Sequence, residues 1–312
     1  MLQKTLAKEV ALTGVGVHSG VETFLKILPA PANSGITFVR TDVTDRENTI
    51  KGLYSNVKET TLCTVIRNDA GVSVGTIEHI MAALRACDID NAVVELDGPE
   101  IPIMDGSSRP FIRAIDSVGT QKLDQPRKAI KILKTVEFKD GDKVVTLMPG
   151  QGCSFDVTID FDSKAIGKQR SVLDLTLQDF ETEASDARTF GFLHEVEYLR
   201  SQGLALGGSL DNAVVIDGDR VLNSNGTRFD NEFSRHKLLD AVGDIYLAGL
   251  PIIGRYESYK AGHALNNQIL HTLFADPTAY EIVDFETKEA ADSVTHLIVA
   301  GRSQSVSSFA EA

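Results

Sequence analysis

The stretch from Phe233 to Asp244 constrains this chain more than any other. At about 3.6 residues per turn, a helix there stacks His236, Asp240 and Asp244 on one face. Leu238, Val242 and Ile245 form an apolar stripe on the other side. The segment is therefore expected to pack on a core along one side and to face a cleft along the other. A neutral imidazole and a carboxylate four residues apart make two-thirds of a catalytic zinc site, which takes three protein donors and keeps a place for water.

A third donor can be sought among the 7 histidines. His79 stands out. Ile77, Ile80, Met81 and Leu84 recur at helical spacing, and at about 100° per residue His79 falls nearly opposite them. Glu78 lies to one side of His79. This pair is not the zinc-protease motif His-Glu-x-x-His, because Ala83 stands where the second histidine would be. An exposed His-x3-Asp pair is commonly just a solvated helix face, so spacing alone leaves metal binding open. His194, His271 and His296 have no acidic partner at ligand spacing and read as surface or packing residues.

Composition narrows the class. The chain has 312 residues, enough for two modest domains or one large one, and is 42% hydrophobic, which excludes wholesale disorder. With 31 Lys+Arg against 44 Asp+Glu, its formal charge is -13, a poor basis for nucleic-acid binding. An anionic ligand would need a local basic patch, to which Lys143, Lys237 and Lys260 could contribute. Cys63, Cys87 and Cys153 are far apart and odd in number, which argues against a disulfide framework and fits a reducing cytoplasm. A charged-then-apolar leader and a long apolar run are both lacking, so the expectation is a soluble, non-exported chain. Gly14-x-Gly16 is followed by Gly20, one place too far for a dinucleotide loop. His18 and Ser19, adjacent on a segment read as extended, should point to opposite faces and are not expected to pair in catalysis.

Along the chain, 91–96 reads as a buried strand and 110–118 as a helix. Residues 129–138 and 143–148 flank Asp140-Gly141-Asp142 as a hairpin, and 155–161 is another strand. Helices are expected at 192–202, 234–247 and 264–274. The polar, proline-bearing stretch Leu123–Arg127 reads as an inter-domain linker. The expected fold class is α+β, with helices packed on sheets. The expected domains are 1–126, carrying Glu78 and His79, and 127–300, carrying His236, Asp240 and His263, followed by a mobile tail over 301–312.

Six stretches carry a resemblance. They are Thr13–Gly20, Thr76–His79, Asp97–Pro102 with Asp105–Ser108, Asp186–Gly191, Arg235–Asp240 and Gly262–Asn267. In this order the chain resembles the zinc-dependent UDP-3-O-acyl-N-acetylglucosamine deacetylases, which carry out the committed step of lipid A synthesis in Gram-negative envelopes. The resemblance implies two similarly folded domains whose helical layers meet face to face, each with a small insertion. It implies zinc on His79, His236 and Asp240, with iron(II) also compatible with two imidazoles and a carboxylate. It makes Glu78 the general base, His263 the general acid or electrostatic partner and Asp244 the partner of His263, and it sets Thr189 beside the scissile carbonyl. Lys237, Lys143, Phe161 and Phe190 are its expected substrate contacts. A cysteine at the position of Cys63 would sit near the metal without being a required ligand.

The second insertion is expected over about 191–219, where Phe192, Leu193, Val196, Leu199, Leu204 and Leu206 are strongly apolar. By resemblance it forms the passage for the acyl chain; by composition alone it is a small helix packed on its own strands. The implied partner is a UDP-linked, acylated glucosamine, with no nucleic acid, no integral membrane segment and at most transient inner-membrane contact. Two alternatives remain at this point: a zinc amidase for another acylated substrate, or a non-catalytic protein that retains the fold.

Overall fold

A computed structural model describes residues 1–285. It is α+β, as expected, with six α-helices among the described residues. These are α1 (Glu78–Ala86), α2 (Arg109–Val118), α3 (Leu177–Glu183), α4 (Leu193–Ser201), α5 (Glu232–Tyr246) and α6 (His263–Ala275). The expected tail, the end of the second domain and His296 lie outside the described residues.

The strands sort by sequence. A five-stranded sheet runs Val10–Val15, Glu22–Pro29, Ala92–Leu96, Ile36–Arg40, Thr49–Lys51. Alternation in the second strand turns Thr23, Leu25 and Ile27 inward and leaves Glu22 and Phe24 outward. A seven-stranded sheet is built wholly from residues 128–284, with Ile252–Tyr259 at its centre. Among the described strands, no ladder pairs a residue before 127 with one after it. Each half also carries a three-stranded addition: Val57–Glu59, Val65–Arg67 and Ser73–Val74 in the first, Phe190–Phe192, Val214–Asp217 and Arg220–Val221 in the second. The Asp140–Asp142 hairpin forms, with Gly141 at φ +60° in its turn, but its first arm is Val136–Asp140 alone; the rest of the expected 129–138 arm belongs to a separate strand, Lys128–Ile132, which pairs with Ile252–Tyr259 and Tyr280–Asp284.

Two readings need correction. The expected linker is a strand: Thr120–Pro126 pairs antiparallel with Leu2–Leu6, so its polar residues line a two-stranded ribbon rather than a free tether. Arg127, at its end, is buried and bonds Asp88 and Asp90. His18 and Ser19 do not lie on an extended segment. They form a turn whose two N–H groups both donate to the buried Glu100 carboxylate.

The halves meet through α1 and α5. Gly243 makes the close approach possible, since a Cβ there would stand 2.0 Å from the Glu78 carbonyl oxygen. The Tyr246 hydroxyl on α5 donates to the Ile89 carbonyl at 2.6 Å, behind α1. As a result every residue of α1 is buried, and on α5 all but Arg235 and Lys237 are. The polar faces read from the sequence thus look into the junction between the halves, not into open solvent.

Candidate active site

α5 presents Glu232, His236, Asp240 and Asp244 at successive four-residue steps. α1 presents Glu78 and His79 from its first turn. Where the helices cross, His79 Nε2 lies 3.6 Å and His236 Nε2 3.4 Å from Asp240 Oδ1. Among the described residues these three form a cluster able to hold a metal, with one donor atom from each within 4.8 Å of the others. Donors about 2.0–2.1 Å from a tetrahedral ion stand roughly 3.3 Å apart, so the spacing fits.

The surrounding groups fit as well. Asp240 Oδ1 is buried without a hydrogen-bond partner, a costly state unless a cation meets it. His236 Nδ1 lies 3.1 Å from the Ala187 carbonyl. That acceptor places the proton on Nδ1 and leaves Nε2 as the lone-pair donor. Burial pulls the His236 pKa down to about 3, so the ring is neutral at pH 7, as a ligand must be. For Asp240, burial alone would favour the neutral acid, but His236 and Lys237 outweigh it and hold the carboxyl well below the usual range. Lys237 Nζ donates to Asp240 Oδ2 at 2.9 Å.

Glu78 and His263 sit beside this cluster. Glu78 Oε2 accepts from the Thr64 N–H at 3.0 Å, and Oε1 is 3.9 Å from His263 Nε2. Burial raises the Glu78 pKa, with His263 and His79 opposing. His263 Nδ1 lies 2.8 Å from Asp244 Oδ2. Burial would lower the pKa of this imidazole, but Asp244 and Glu78 outweigh it and carry it to about 9. Asp244 also accepts from the Thr64 hydroxyl at 2.6 Å and from Asn266 at 2.9 Å, and Asn266 in turn accepts from the Tyr256 hydroxyl. Asn266 lies in the Gly262–Asn267 stretch, three residues after His263 on α6, whereas Thr64 and Tyr256 come from separate segments that no spacing rule joins to the site. The Cys63 thiol, pushed up to about 12 by burial and then by Glu78, stays protonated and is not among the converging donors.

The residues expected to contact substrate share one cleft. Lys143, Phe161, Phe190, Lys237 and Lys260 line a cavity of about 550 Å³ that reaches His263. Thr189 is half-buried next to Phe190, and its backbone is fixed by Gly106 and Val214. The Phe190 ring stands 6.1 Å from that of His236. A second cavity, of about 520 Å³, shares Thr61 and Leu62 with the first and is more apolar, lined by Cys63, Val65, Pro99 and Leu204. Leu204 comes from the expected insertion, which is a strand, α4 and two further strands. This insertion docks on the first half through Leu206 N–H to the His18 carbonyl and Gly207 N–H to the Val17 carbonyl.

The family model for UDP-3-O-acyl N-acetylglycosamine deacetylase matches residues 3–275. The UDP-3-O-acyl-N-acetylglucosamine deacetylase of Shewanella pealeana is 48% identical over 303 residues, covering 96% of this chain and 98% of its own length. That of Shewanella frigidimarina is 47% identical over 300 residues, covering 96% and 97%. A match over nearly the whole chain, spanning both helices that build the His-His-Asp cluster, shows that the chain belongs to the UDP-3-O-acyl N-acetylglycosamine deacetylase family.

Proposed function

We propose that this protein hydrolyses the N-acetyl group of UDP-3-O-(3-hydroxyacyl)-N-acetylglucosamine. The products are acetate and UDP-3-O-(3-hydroxyacyl)-glucosamine, the committed step of lipid A synthesis in a Gram-negative cytoplasm. The observation that carries the reading is the meeting of Glu78 and His263 beside the His79–His236–Asp240 cluster. Zinc is the proposed ion, with iron(II) compatible with the same donors. When bound, it supplies Lewis acidity to the water and to the amide carbonyl.

The chain's own groups do the rest. Glu78, made more basic by burial, takes a proton from the attacking water. The Thr189 hydroxyl donates to the oxygen that gains charge; losing one such donor typically costs ~3 kcal/mol of barrier. An amine anion is a poor leaving group, so the nitrogen must be protonated as it departs. His263, kept cationic by Asp244, gives that proton.

The lysine-rich cavity suits a nucleoside diphosphate in an otherwise acidic protein, with Phe161 and Phe190 offering aromatic contact. The apolar cavity beneath Leu204 suits the acyl chain, where each buried methylene contributes about 0.8 kcal/mol gross. We place the domain boundary at 126/127, with the site at the junction. No helix among the described residues is long and apolar enough to cross a membrane, and only transient inner-membrane contact is proposed.

The test is acetate release from the acylated UDP-sugar and from the same sugar lacking the acyl chain. Hydrolysis of the first and a sharply lower kcat/KM for the second are expected. Equal rates would remove the acyl-gripping role, and no release from either would overturn the assignment.

A further inference from the structure

We propose that the buried Glu232–Arg188 pair is a positioning device for the metal ligand His236 and for Thr189. Glu232 is the first residue of α5, one helical turn before His236 and on the same ridge. It is fully buried. Its Oε1 accepts from the Arg188 backbone N–H at 2.9 Å and from Arg188 Nε at 2.9 Å. Its Oε2 accepts from Arg188 Nη2 at 3.1 Å and from the Arg228 backbone N–H.

Those bonds fix the segment that His236 leans on. The carbonyl partner of His236 Nδ1 belongs to Ala187, and the peptide between Ala187 and Arg188 supplies both that carbonyl and the N–H held by Glu232. One side of α5 thus grips a single peptide plane at two points a turn apart: a carboxylate takes its N–H, and an imidazole gives to its C=O. If that plane rotates, the His236 ring follows, and its Nε2 leaves the position 3.4 Å from Asp240 Oδ1. Thr189, the next residue on, moves with it. Arg188 also donates to the Gly226 carbonyl, while Arg228 bonds Asp105 and the Asp186 carbonyl, so the grip extends to the loop that leads into α5.

A pair that only stabilised the fold would change melting temperature and leave ligand geometry alone. Arg127, buried and paired with Asp88 and Asp90 away from the metal cluster, supplies the comparison. The experiment measures zinc affinity of metal-stripped full-length protein by competition with a chelating indicator. It also records the visible spectrum of the cobalt(II) form, for wild type, Glu232→Gln, Arg188→Lys and Arg127→Met. Glu232→Gln keeps side-chain size and Arg188→Lys keeps the charge on a long flexible stem, so both are suited to folding.

The expected result for Glu232→Gln is an affinity about 10–100-fold weaker than wild type, with an altered cobalt spectrum. Arg188→Lys, which keeps the charge but loses the fork, should fall between the two. Arg127→Met should melt earlier yet bind zinc like wild type. The inference rests on the metal reading given above, and the two can fail separately. No binding by the wild-type chain would overturn both. Tight wild-type binding matched by Glu232→Gln with an unchanged spectrum, or an equal loss in Arg127→Met, would overturn this inference alone.

Discussion

Replacing Asp244 by Asn removes one negative charge with little change of shape. His263 is held near 9 against an ordinary 6.5, which corresponds to roughly 3 kcal/mol in favour of the imidazolium. Because the folded pKa is raised, the cation is present below about 9 and lost as pH rises through it. At pH 8 about nine-tenths of the wild-type His263 carries its proton, by the ordinary titration relation. Without Asp244, burial, the largest single influence on this group, acts with weaker opposition. If the imidazole returns to its ordinary value, only about 3% is protonated at pH 8, a fall of roughly 30-fold in competent enzyme. At pH 6 the same change removes less than about half. The assay is kcat/KM for acetate release between pH 5.5 and 10. The alkaline limb should move acidward by about 2.5 on the pH scale, with a much larger deficit at pH 8 than at pH 6. A deficit equal at both pH values would mean that Asp244 acts through geometry alone and would refute this reasoning.

Other perturbations follow from the same contacts. Glu78→Ala and His263→Ala should each cut turnover by about 10²–10⁴-fold while metal content by elemental analysis stays near that of wild type. Gly243→Ala puts a Cβ against the Glu78 carbonyl and must spread α1 from α5; a loss of about 1–3 kcal/mol in urea unfolding is expected, with weaker metal binding. Lys143→Ala should raise KM more than it lowers kcat, because the residue lines the cleft proposed for the substrate and has no part in the proposed metal binding or proton transfer.

The helix carrying His236 and Asp240 was legible because its spacing is local, and so were the hairpin at Asp140–Asp142 and the helix at His263. What the sequence could not convey was the surroundings of those helices. Leu238, Val242 and Ile245 implied one buried face on α5, yet His236, Asp240 and Asp244 are buried too, because α1 covers them from a segment some 150 positions earlier. Gly243, unremarkable in a sequence, is what lets that helix come close. The stretch 123–127 looked like a tether because its strand partner lies at the other end of the first half, at Leu2–Leu6. Glu232 sits four places before His236, so its place on the ridge could have been read. Its partner Arg188 could not, since that contact spans 44 residues. The Thr64 bridge between Glu78 and Asp244 likewise depends on the two halves meeting.

The proposed function requires His79, His236 and Asp240 to share one divalent ion. Anomalous diffraction at the zinc edge, on crystals of protein purified without added metal and then reloaded, addresses it directly. One peak is expected, about 2.0–2.2 Å from His79 Nε2, His236 Nε2 and an Asp240 oxygen. A peak elsewhere, or none in a preparation whose deacetylation survives chelators, would contradict it.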